Sequence, residues 1–333
     1  MGRLQRSLER QWYTQPDWLW LFLPLSWLFQ FLSKRRRNRQ RRSSYQSSLP
    51  VIVIGNISVG GTGKTPTIIS LARTLQQRGF KPVVISRGYG TTAASVRVLP
   101  ADADPQIYGD EPVLIASATG CPVVVGADRV AVVQYVEQQL LGDAILSDDG
   151  LQHYRLGRTW EIAVVDSQRR LGNGHCLPVG PLREPAGRLL EVDAVLLNGG
   201  LFAADWLPPE KTHLMMLQPV AWRHVKTGRR VPLEQLNLNG AAAIAGIGNP
   251  QRFFSTLQSL GFRGTTQVFP DHHAFTPEDF STLRESMVLM TEKDAVKVRA
   301  FAEDEWWALV VEAQIPQALI DHLCQTLVNS RTS

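Results

Sequence analysis

The stretch from Val51 to Ser70, VIVIGNISVGGTGKTPTIIS, constrains the fold of this chain more than any other. Its four β-branched residues predict a buried strand, and the glycines that follow predict a tight turn. An amphipathic helix is expected from Lys64 to about Arg78. Glycines let successive N–H groups of the turn point inward, and the helix N-terminus adds partial positive charge. The stretch is therefore typical of a phosphate-binding loop.

Residue types within this loop predict how it would hold a nucleotide. We expect Lys64 to reach the β- and γ-phosphates and the Thr65 hydroxyl to ligate Mg²⁺. The strict pattern has glycine at position 58, where this chain has Ser58, so a chance glycine-rich turn is the alternative. Membrane-associated ATPases of the deviant type have a lysine in the place of Val59, which disfavours that class. The predicted nucleotide-binding residues are Gly60, Gly61, Thr62, Gly63, Lys64, Thr65 and Pro66.

Length and charge set the organisation of the rest of the chain. With 333 residues the chain can form two domains, and strands alternating with helices predict a mostly parallel sheet covered on both sides. Residues 1–42 carry ten Lys/Arg against two acidic residues, so the remainder carries a net charge of −3. A nucleic-acid surface on the body is therefore not expected. Three widely spaced cysteines indicate neither a disulfide framework nor a zinc site.

The segment from Trp18 to Leu32 is rich in large apolar side chains, and seven basic residues follow it between Lys34 and Arg42. A spanning helix needs roughly 20 apolar residues, and a signal peptide has its charges before the apolar stretch. We therefore predict an interfacial helix that enters the headgroup region while its arginines meet anionic phospholipid. A helix packed on the protein's own core and a true membrane span are the alternatives.

Acidic residues follow strands at two places. The strand from Asp143 to Ser147 leads into Asp148 and Asp149, and a carboxylate in this position next to a phosphate loop would hold Mg²⁺. Paired aspartates in a plain turn are the alternative. Asp110 in the sequence GDEP precedes a helix, where it could also cap the N-terminus.

The second half of the chain contains a further strand-turn-helix unit from Ala241 to about Leu260, and a helix is predicted from Thr276 to Arg284. Between them lies PDHH, whose adjacent histidines could be a metal pair, surface residues, or a contact to substrate. The sequence TEKD at 291–294 differs by one position from the guanine-reading motif N/T-K-x-D, so a GTPase is not indicated.

The motifs GNISVGGTGKTP, SRGYG, GDEP, DDGLQH, LPVGPLREP, AGIGNP, PDHH and TEKDAVK occur in the order seen in tetraacyldisaccharide 4'-kinases, which the chain resembles beyond residue 46. The resemblance implies transfer of the γ-phosphate of ATP to the 4'-hydroxyl of an acylated glucosamine disaccharide 1-phosphate in lipid A biosynthesis. It implies a monomer with Mg²⁺ as cofactor, at the cytoplasmic face of the bacterial inner membrane. A membrane-recruited ATPase that acts as a switch, and a non-catalytic lipid-binding protein, are the rival interpretations.

The resemblance also assigns roles to individual residues. Asp110 would be the general base, oriented by His272, and Lys64 would complete the catalytic set. Because His272 lies in the second half of the chain, we expect the two units to close before it can meet Asp110. This chain has Thr91 where many relatives have a basic residue. The implied Mg²⁺ ligands are Thr65, Asp148, Asp149 and Glu184, and the implied phosphate or substrate contacts are Arg87, Arg129, Arg183 and Gln152.

The predicted architecture is thus α/β: a P-loop NTPase-like domain with a mostly parallel sheet, a second and smaller α/β domain, and an N-terminal membrane-associated helix. The predicted boundaries are residues 1–45 for the helix and basic segment, 46–222 for the P-loop domain, and 223–333 for the smaller domain.

Overall fold

The structure is a computed structural model that describes residues 11–14, 18–88, 95–200 and 206–332. Tyr89 and Gly90 of the SRGYG motif, and Thr91, lie outside the described residues. The helices are α1 (Leu23–Arg42), α2 (Lys64–Gln77), α3 (Pro105–Tyr108), α4 (Asp110–Thr119), α5 (Arg129–Gln138), α6 (Pro250–Ser259), α7 (Glu292–Val298) and α8 (Gln317–Thr332).

The strands belong to one mixed sheet in the order β11-β10-β12-β13-β8-β7-β6-β1-β5-β2-β4-β3, with β9 paired to β8. They are β1 (Val51–Gly55), β2 (Pro82–Ser86), β3 (Arg97–Val98), β4 (Val123–Val125), β5 (Ala144–Asp148), β6 (Trp160–Asp166), β7 (Ala194–Asn198), β8 (Thr212–His224), β9 (Arg230–Val231), β10 (Asn239–Ala245), β11 (Arg263–Val268), β12 (Val288–Thr291) and β13 (Trp306–Gln314). Among the strands that the structure describes, antiparallel pairing occurs between β3 and β4, β8 and β13, and β8 and β9. The predicted mostly parallel α/β sheet is confirmed.

Hydrophobic clusters on both faces of the sheet hold the phosphate loop in place. Ile52 and Ile54 of β1 belong to the cluster on one face, and Val51 and Val53 belong to the cluster on the other. The helix residues packed into these clusters include Ile68, Leu71 and Leu75 of α2, and Val132, Val133 and Val136 of α5. Full burial of each large side chain contributes roughly 1.5–3 kcal/mol, so β1 and α2 fix both ends of the loop between them.

Strand β8 joins the two halves of the sheet. Its first residues pair in parallel with β7, and residues from Met216 to His224 pair antiparallel with β13. This strand runs across residue 222, where the predicted P-loop domain ends. The boundary after residue 222 stays a prediction, and the sheet is continuous across it.

The predicted helix from Thr276 to Arg284 is wrong. Only a 3₁₀ turn, Pro277–Phe280, forms there, closed by a capping box between Thr276 and Asp279. Phe280 is buried, but the segment has few other apolar residues at helical spacing, so a longer helix would have no face to pack against the core.

The 3₁₀ turn at Trp18–Phe22 and the helix α1 that follows it leave most of their large apolar side chains on the surface, while Leu19 is buried and Phe29 packs partly against the core. Leu21 is 81% exposed, Trp27 64% and Phe31 61%. Ser26 is buried and donates a hydrogen bond to the Cys176 carbonyl at 2.8 Å, which attaches the helix to the body. The exposure does not agree with a helix packed into the protein's own core. Within the described ranges, no helix combines the length and the apolarity needed to cross a membrane.

Candidate active site

The backbone of the phosphate loop explains its departure from the strict glycine pattern. Gly60 and Gly63 have φ of +106° and +100°, which favour glycine, whereas Ser58 is not in a left-handed conformation. Ser58 forms a bridge with Leu182, and the Val59 N–H donates to the Pro181 carbonyl at 2.9 Å. A side chain at position 58 is therefore tolerated, and residues 181–182 brace the loop from outside.

Lys64 lies at the N-terminus of α2 and faces an acceptor on each side. Its Nζ is 3.1 Å from Asn56 Oδ1 and 3.4 Å from Asp149 Oδ1. Thr65 and Pro66 follow in the first turn of the same helix, next to the unpaired N–H groups that favour an anion. Lys64, Thr65 and the helix N-terminus are thus adjacent, and their predicted phosphate and Mg²⁺ contacts stay predictions.

Asp148 ends β5 and is buried beside the loop. Its Oδ2 accepts a hydrogen bond from Ser86 Oγ at 2.9 Å, and its Oδ1 has no hydrogen-bond partner among the described residues. Burial, together with the charges of Glu111 and Asp149, raises the pKa of the Asp148 carboxyl to about 7. A buried carboxylate oxygen without a donor suits a cation, because a nearby positive charge would stabilise the ionised form.

Asp149 is oriented by the loop lysine and an arginine. Arg183 Nη1 donates to Asp149 Oδ2 at 2.9 Å. Burial alone would raise the pKa of Asp149, but the charges of Lys64 and Arg183 outweigh it and lower the value to about 2. Among the residues that the structure describes, no group of three or more His, Cys, Asp or Glu side chains forms a complete metal site. Mg²⁺ would therefore need further oxygen ligands, which nucleotide phosphates supply in many kinases.

Glu184 occupies a different environment from the paired aspartates. Its Oε1 accepts from Gln152 Nε2 at 2.8 Å, and its Oε2 accepts from the Tyr154 hydroxyl. Arg188 Nε and Arg37 Nη1 lie 3.6 and 3.9 Å from the same carboxylate. The Gln152 amide also donates to the carbonyl of Asn56, whose side chain contacts Lys64. Gln152 and Glu184 thus border the loop through Asn56, and their predicted roles stay predictions.

The predicted phosphate-binding arginines differ in their surroundings. Arg129 is buried, and its guanidinium donates to the carbonyls of Gly126 and Asp148 at 3.1 Å each. Burial lowers the pKa of Arg129 to about 10, against the opposing charges of Asp148 and Asp149. Arg87 follows β2 and is exposed, close enough for its charge to act on Arg129. Three cations, including Arg183, therefore surround the end of β5.

Asp110 is the first residue of α4 and lies against a histidine from the other half of the chain. His272 Nδ1 is 3.2 Å from Asp110 Oδ2. Gly109, not Asp110, occupies the N-cap position of α4, so the capping interpretation is wrong. The expectation that the two halves must close before these residues meet is also wrong, because they are already in contact. Asp110 itself is buried.

The charges around Asp110 keep it ionised. Burial would raise its pKa, but the close contact with His272 and the charge of Lys293 outweigh burial and lower the pKa of Asp110 to about 2. In turn, the Asp110 carboxylate raises the pKa of His272. His272 adopts a positive φ of 58°, a conformation that residues other than glycine seldom take.

The neighbouring His273 faces elsewhere. Its Nε2 is 3.0 Å from Asp279 Oδ2, and its ring stacks on Phe269 with centroids 4.9 Å apart. The two histidines therefore do not form a metal pair. His273 stabilises the turn that follows the PDHH sequence.

The phosphate loop and Asp271, the residue before His272, lie close together across Gly248 of the AGIGNP sequence. A Cβ atom at Gly248 would be 3.2 Å from Asp271 Oδ2 and 3.8 Å from the Gly61 amide nitrogen. Arg169 Nη2 also donates to the Gly248 carbonyl at 3.0 Å. The second half of the chain thus contributes one wall of the site.

The sequence analysis did not identify a network of polar side chains that supports the phosphate loop. Asn198 Nδ2 donates to the Thr62 carbonyl at 2.8 Å, and Arg252 contacts both Asn198 Oδ1 at 2.7 Å and Asp166 Oδ2 at 3.2 Å. A Cβ on Gly63 would lie 2.5 Å from Asn198 Nδ2, so the approach requires glycine. Asp166 and Asn198 each end a buried strand near β1, which is the signal that could have identified them.

The last residue of the TEKD sequence, Asp294, has a structural role. Asp294 accepts hydrogen bonds from the Gly246 N–H at 3.1 Å and from Thr291 Oγ1 at 2.8 Å, which ties α7 to the AGIGNP turn. Lys293, which the sequence analysis did not select, points instead toward Asp110 and Glu111. The rejection of a guanine-reading motif agrees with these contacts.

Comparisons with known proteins give a consistent result. The sequence model of the LpxK family, described as Tetraacyldisaccharide-1-P 4'-kinase, matches residues 18–328. Proteins named Tetraacyldisaccharide 4'-kinase from Methylobacillus flagellatus and Alcanivorax borkumensis are 46% and 45% identical. The matches cover 98% of both chains in the first case, and 97% of this chain and 98% of the relative in the second. The crystal structure of LpxK from Aquifex aeolicus in complex with ATP superposes with a TM-score of 0.81 at 25% identity, over 94% of this chain and 99% of that one.

Proposed function

This chain belongs to the tetraacyldisaccharide-1-P 4'-kinase family, and we propose that it transfers the γ-phosphate of ATP to the 4'-hydroxyl of an acylated glucosamine disaccharide 1-phosphate in lipid A biosynthesis. The observation that carries this proposal is the placement of Asp110. Its buried, ionised carboxylate is in contact with His272, and Asp271, the residue before His272, lies across Gly248 from the phosphate loop. A kinase needs a base at that place, next to the terminal phosphate.

The residues of the loop bind and neutralise the triphosphate. The N–H groups of residues 60–65 surround phosphate oxygens, and Lys64 compensates the charge that moves toward the β-phosphate during transfer. Arg183 and Arg129 add positive charge at the end of β5, and Arg87 completes the cationic border. These groups stabilise a transition state whose negative charge is spread over the phosphoryl oxygens.

The donor set at the end of β5 fits Mg²⁺. Asp148 offers a carboxylate oxygen without a hydrogen-bond donor among the described residues. Asp149 lies 3.4 Å from Lys64 Nζ, and Thr65 directly follows Lys64 in the first turn of α2. Oxygen ligands of this kind, together with phosphate oxygens, are what Mg²⁺ prefers in kinases. Bound by these residues, Mg²⁺ would neutralise negative charge on the phosphate oxygens. Glu184, held by Gln152 and Tyr154, supports this region from behind the loop.

Asp110 acts on the acceptor sugar. Its carboxylate takes the proton of the 4'-hydroxyl as the oxygen attacks the γ-phosphorus, and His272 fixes its orientation through the 3.2 Å contact. Since the pKa of Asp110 is about 2, the base is fully ionised at neutral pH before substrate binds. The proton passes to Asp110 only in the transition state, where the sugar oxygen becomes far more acidic.

Label transfer tests this function directly. Incubation of the purified protein with γ-³²P-ATP, Mg²⁺ and acylated disaccharide 1-phosphate is expected to give labelled lipid, with no label when Mg²⁺ is chelated. Labelled inorganic phosphate without labelled lipid would contradict the proposal and favour the membrane-recruited ATPase. Lipid binding without turnover of ATP would favour the non-catalytic lipid-binding protein.

The exposed side chains of α1 support attachment to the cytoplasmic face of the inner membrane. Trp27 and Phe31 lie one turn apart on the same face, and the basic second half of the helix follows them. Burying such side chains contributes roughly 1.5–3 kcal/mol each, and each nearby basic residue adds about 1 kcal/mol on an anionic surface. The acyl chains of the substrate can then remain in the bilayer.

A double variant tests this attachment without removing the contacts of α1 to the body. Trp27→Ser with Phe31→Ser should weaken binding to vesicles containing phosphatidylglycerol by roughly 10²-fold or more, because two apolar anchors are lost. Activity on detergent-dispersed substrate should stay within a few-fold. Leu140→Ser, at an 86% exposed position outside α1, is the matched control and should bind vesicles normally. Normal vesicle binding by the double variant would contradict this role of α1.

A further inference from the structure

Lys293 on α7 contacts three carboxylates at the border between the two halves of the chain. Its Nζ lies 3.0 Å from Glu111 Oε1, 3.9 Å from Asp110 Oδ2 and 3.9 Å from Asp271 Oδ1. Its side chain is only 18% exposed. Glu111 and Asp110 begin α4, while Asp271 directly precedes His272, so one ammonium group joins the base, its helix and the loop of its histidine.

Charge balance explains why a cation is needed there. Asp110, Glu111 and Asp271 place three negative charges around one cleft that also has to receive the phosphates of ATP. Buried like charges raise one another's pKa and push their side chains apart. Lys293 is well placed to offset them, and in return these carboxylates raise its own pKa despite burial, so it is charged at neutral pH.

We propose that Lys293 is a positioning residue for phosphoryl transfer: its ammonium group holds Asp110 in line with the acceptor hydroxyl and supplies the counter-charge that keeps this base ionised in the presence of ATP. The proposal rests on the function proposed above. Lys293 touches neither nucleotide nor sugar in this role, and it acts through Asp110 and Glu111. A solvent-exposed Arg or Lys side chain would not be surrounded by three carboxylates in this way.

Other charged groups face Asp110 from every packed element. Glu111 lies on the same helix, Asp271 and His272 come from the loop, and Lys297 on α7 adds a smaller favourable charge from its ion pair with Asp294. Arg73 of α2 contacts the opposite end of α4, at the carbonyl of Ala118. Lys293 is the cation among them whose charge lowers the pKa of Asp110 most.

The sign of the pH effect follows from this arrangement. In the wild type the pKa of Asp110 is about 2, so the base remains ionised throughout the range in which activity is measured. Removing Lys293 leaves burial and two neighbouring carboxylates, which raise the pKa of Asp110, against His272 and Lys297, which lower it, so the pKa of Asp110 rises. The variant should therefore lose activity progressively as pH falls, relative to the wild type.

The test compares Lys293→Met with Lys293→Arg. The methionine variant should lower kcat roughly 10- to 100-fold, because a base misplaced by about 1 Å has an effect of that size. Its KM for ATP should change less than about three-fold. The ratio of its rate to the wild-type rate should fall further between pH 8 and pH 5.5, whereas the arginine variant should recover most of the rate and keep a nearly constant ratio. Lys226→Met, which removes an exposed pair with Asp304, is the control and should match the wild type.

Several results would overturn the proposal. These are wild-type kcat in Lys293→Met, an equal loss in both variants, or a rate ratio that does not change with pH. If Lys293→Met does not fold, as judged by thermal melting, Glu111→Gln takes its place in the test. This variant removes a carboxylate and keeps the lysine, so the ratio of its rate to the wild-type rate should not fall at low pH. A fall in that ratio would overturn the proposal. Absence of lipid labelling by the wild type would instead refute the proposed function, so the two failures are distinguishable.

Discussion

Asp110→Asn is expected to lower kcat for lipid phosphorylation by roughly 10²- to 10⁴-fold, the range observed when a general base is lost. Asparagine has nearly the same shape but cannot accept the proton of the 4'-hydroxyl. Binding of ATP should be unaffected, because the Asp110 side chain contacts His272, Lys293 and its own helix. Rapid-quench measurement of labelled lipid, alongside nucleotide binding by fluorescence, checks both expectations.

Asp104→Asn is the matched control for this variant. Asp104 caps α3 by accepting a hydrogen bond from the Gln106 N–H at 2.8 Å, a role that asparagine can also perform. Its activity should remain near that of the wild type. Comparable lipid phosphorylation by Asp110→Asn and the wild type would remove Asp110 from the chemical step.

Lys64→Met is expected to lower kcat/KM by roughly 10²- to 10³-fold, as for the loss of one charged donor from a preorganised site. Lys64 Nζ lies between Asn56 and Asp149, where bound β- and γ-phosphates would replace or join these acceptors. The loss should affect both ATP binding and the chemical step. Steady-state kinetics over a range of ATP concentrations separates the two contributions.

Lys81→Met provides the comparison at an exposed lysine. The Lys81 backbone N–H donates a hydrogen bond to Asp143 Oδ1 at 2.7 Å, and the Lys81 side chain is exposed to solvent. The substitution should therefore leave the kinetics unchanged. If Lys64→Met had the same kcat/KM as Lys81→Met, the loop would not be the site of phosphate binding.

The strand, the glycine turn and the helix around Lys64 could be predicted because every signal there is local. Four β-branched residues, two glycines with positive φ and an amphipathic helix follow one another within twenty residues. The position of Asp148 could be predicted for the same reason, since a hydrophobic strand that ends in aspartate places the carboxylate at the same sheet edge as the loop.

The pairing of Asp110 with His272 could not be derived from spacing. More than 150 residues separate them, and the resemblance to a known family, not periodicity, suggested their connection. Their contact depends on β8, whose first residues pair with β7 and whose remainder pairs with β13. A strand with mixed exposure has no clean alternation, so its sequence did not reveal it.

Long-range polar contacts were also beyond sequence reasoning. The sequence around Lys293 indicates only a departure from the guanine-reading motif and not its three carboxylate partners. The sequence around Arg252 likewise indicates a helix and not the contacts with Asp166 and Asn198. Glu184 shows the converse, because its predicted partner is Mg²⁺, while its contacts in the described residues are to Gln152, Tyr154 and two arginines. Such partners depend on which strands become neighbours, and that is a property of the whole fold.

The most direct measurement is a crystal structure of this protein with a non-hydrolysable ATP analogue and the acylated disaccharide 1-phosphate bound together. We expect the triphosphate in the loop at Lys64 and the 4'-oxygen of the sugar about 3 Å from the Asp110 carboxylate, in line with the γ-phosphorus. A sugar whose 4'-hydroxyl faces another group, with Asp110 held away from it by His272 and Lys293, would contradict this account.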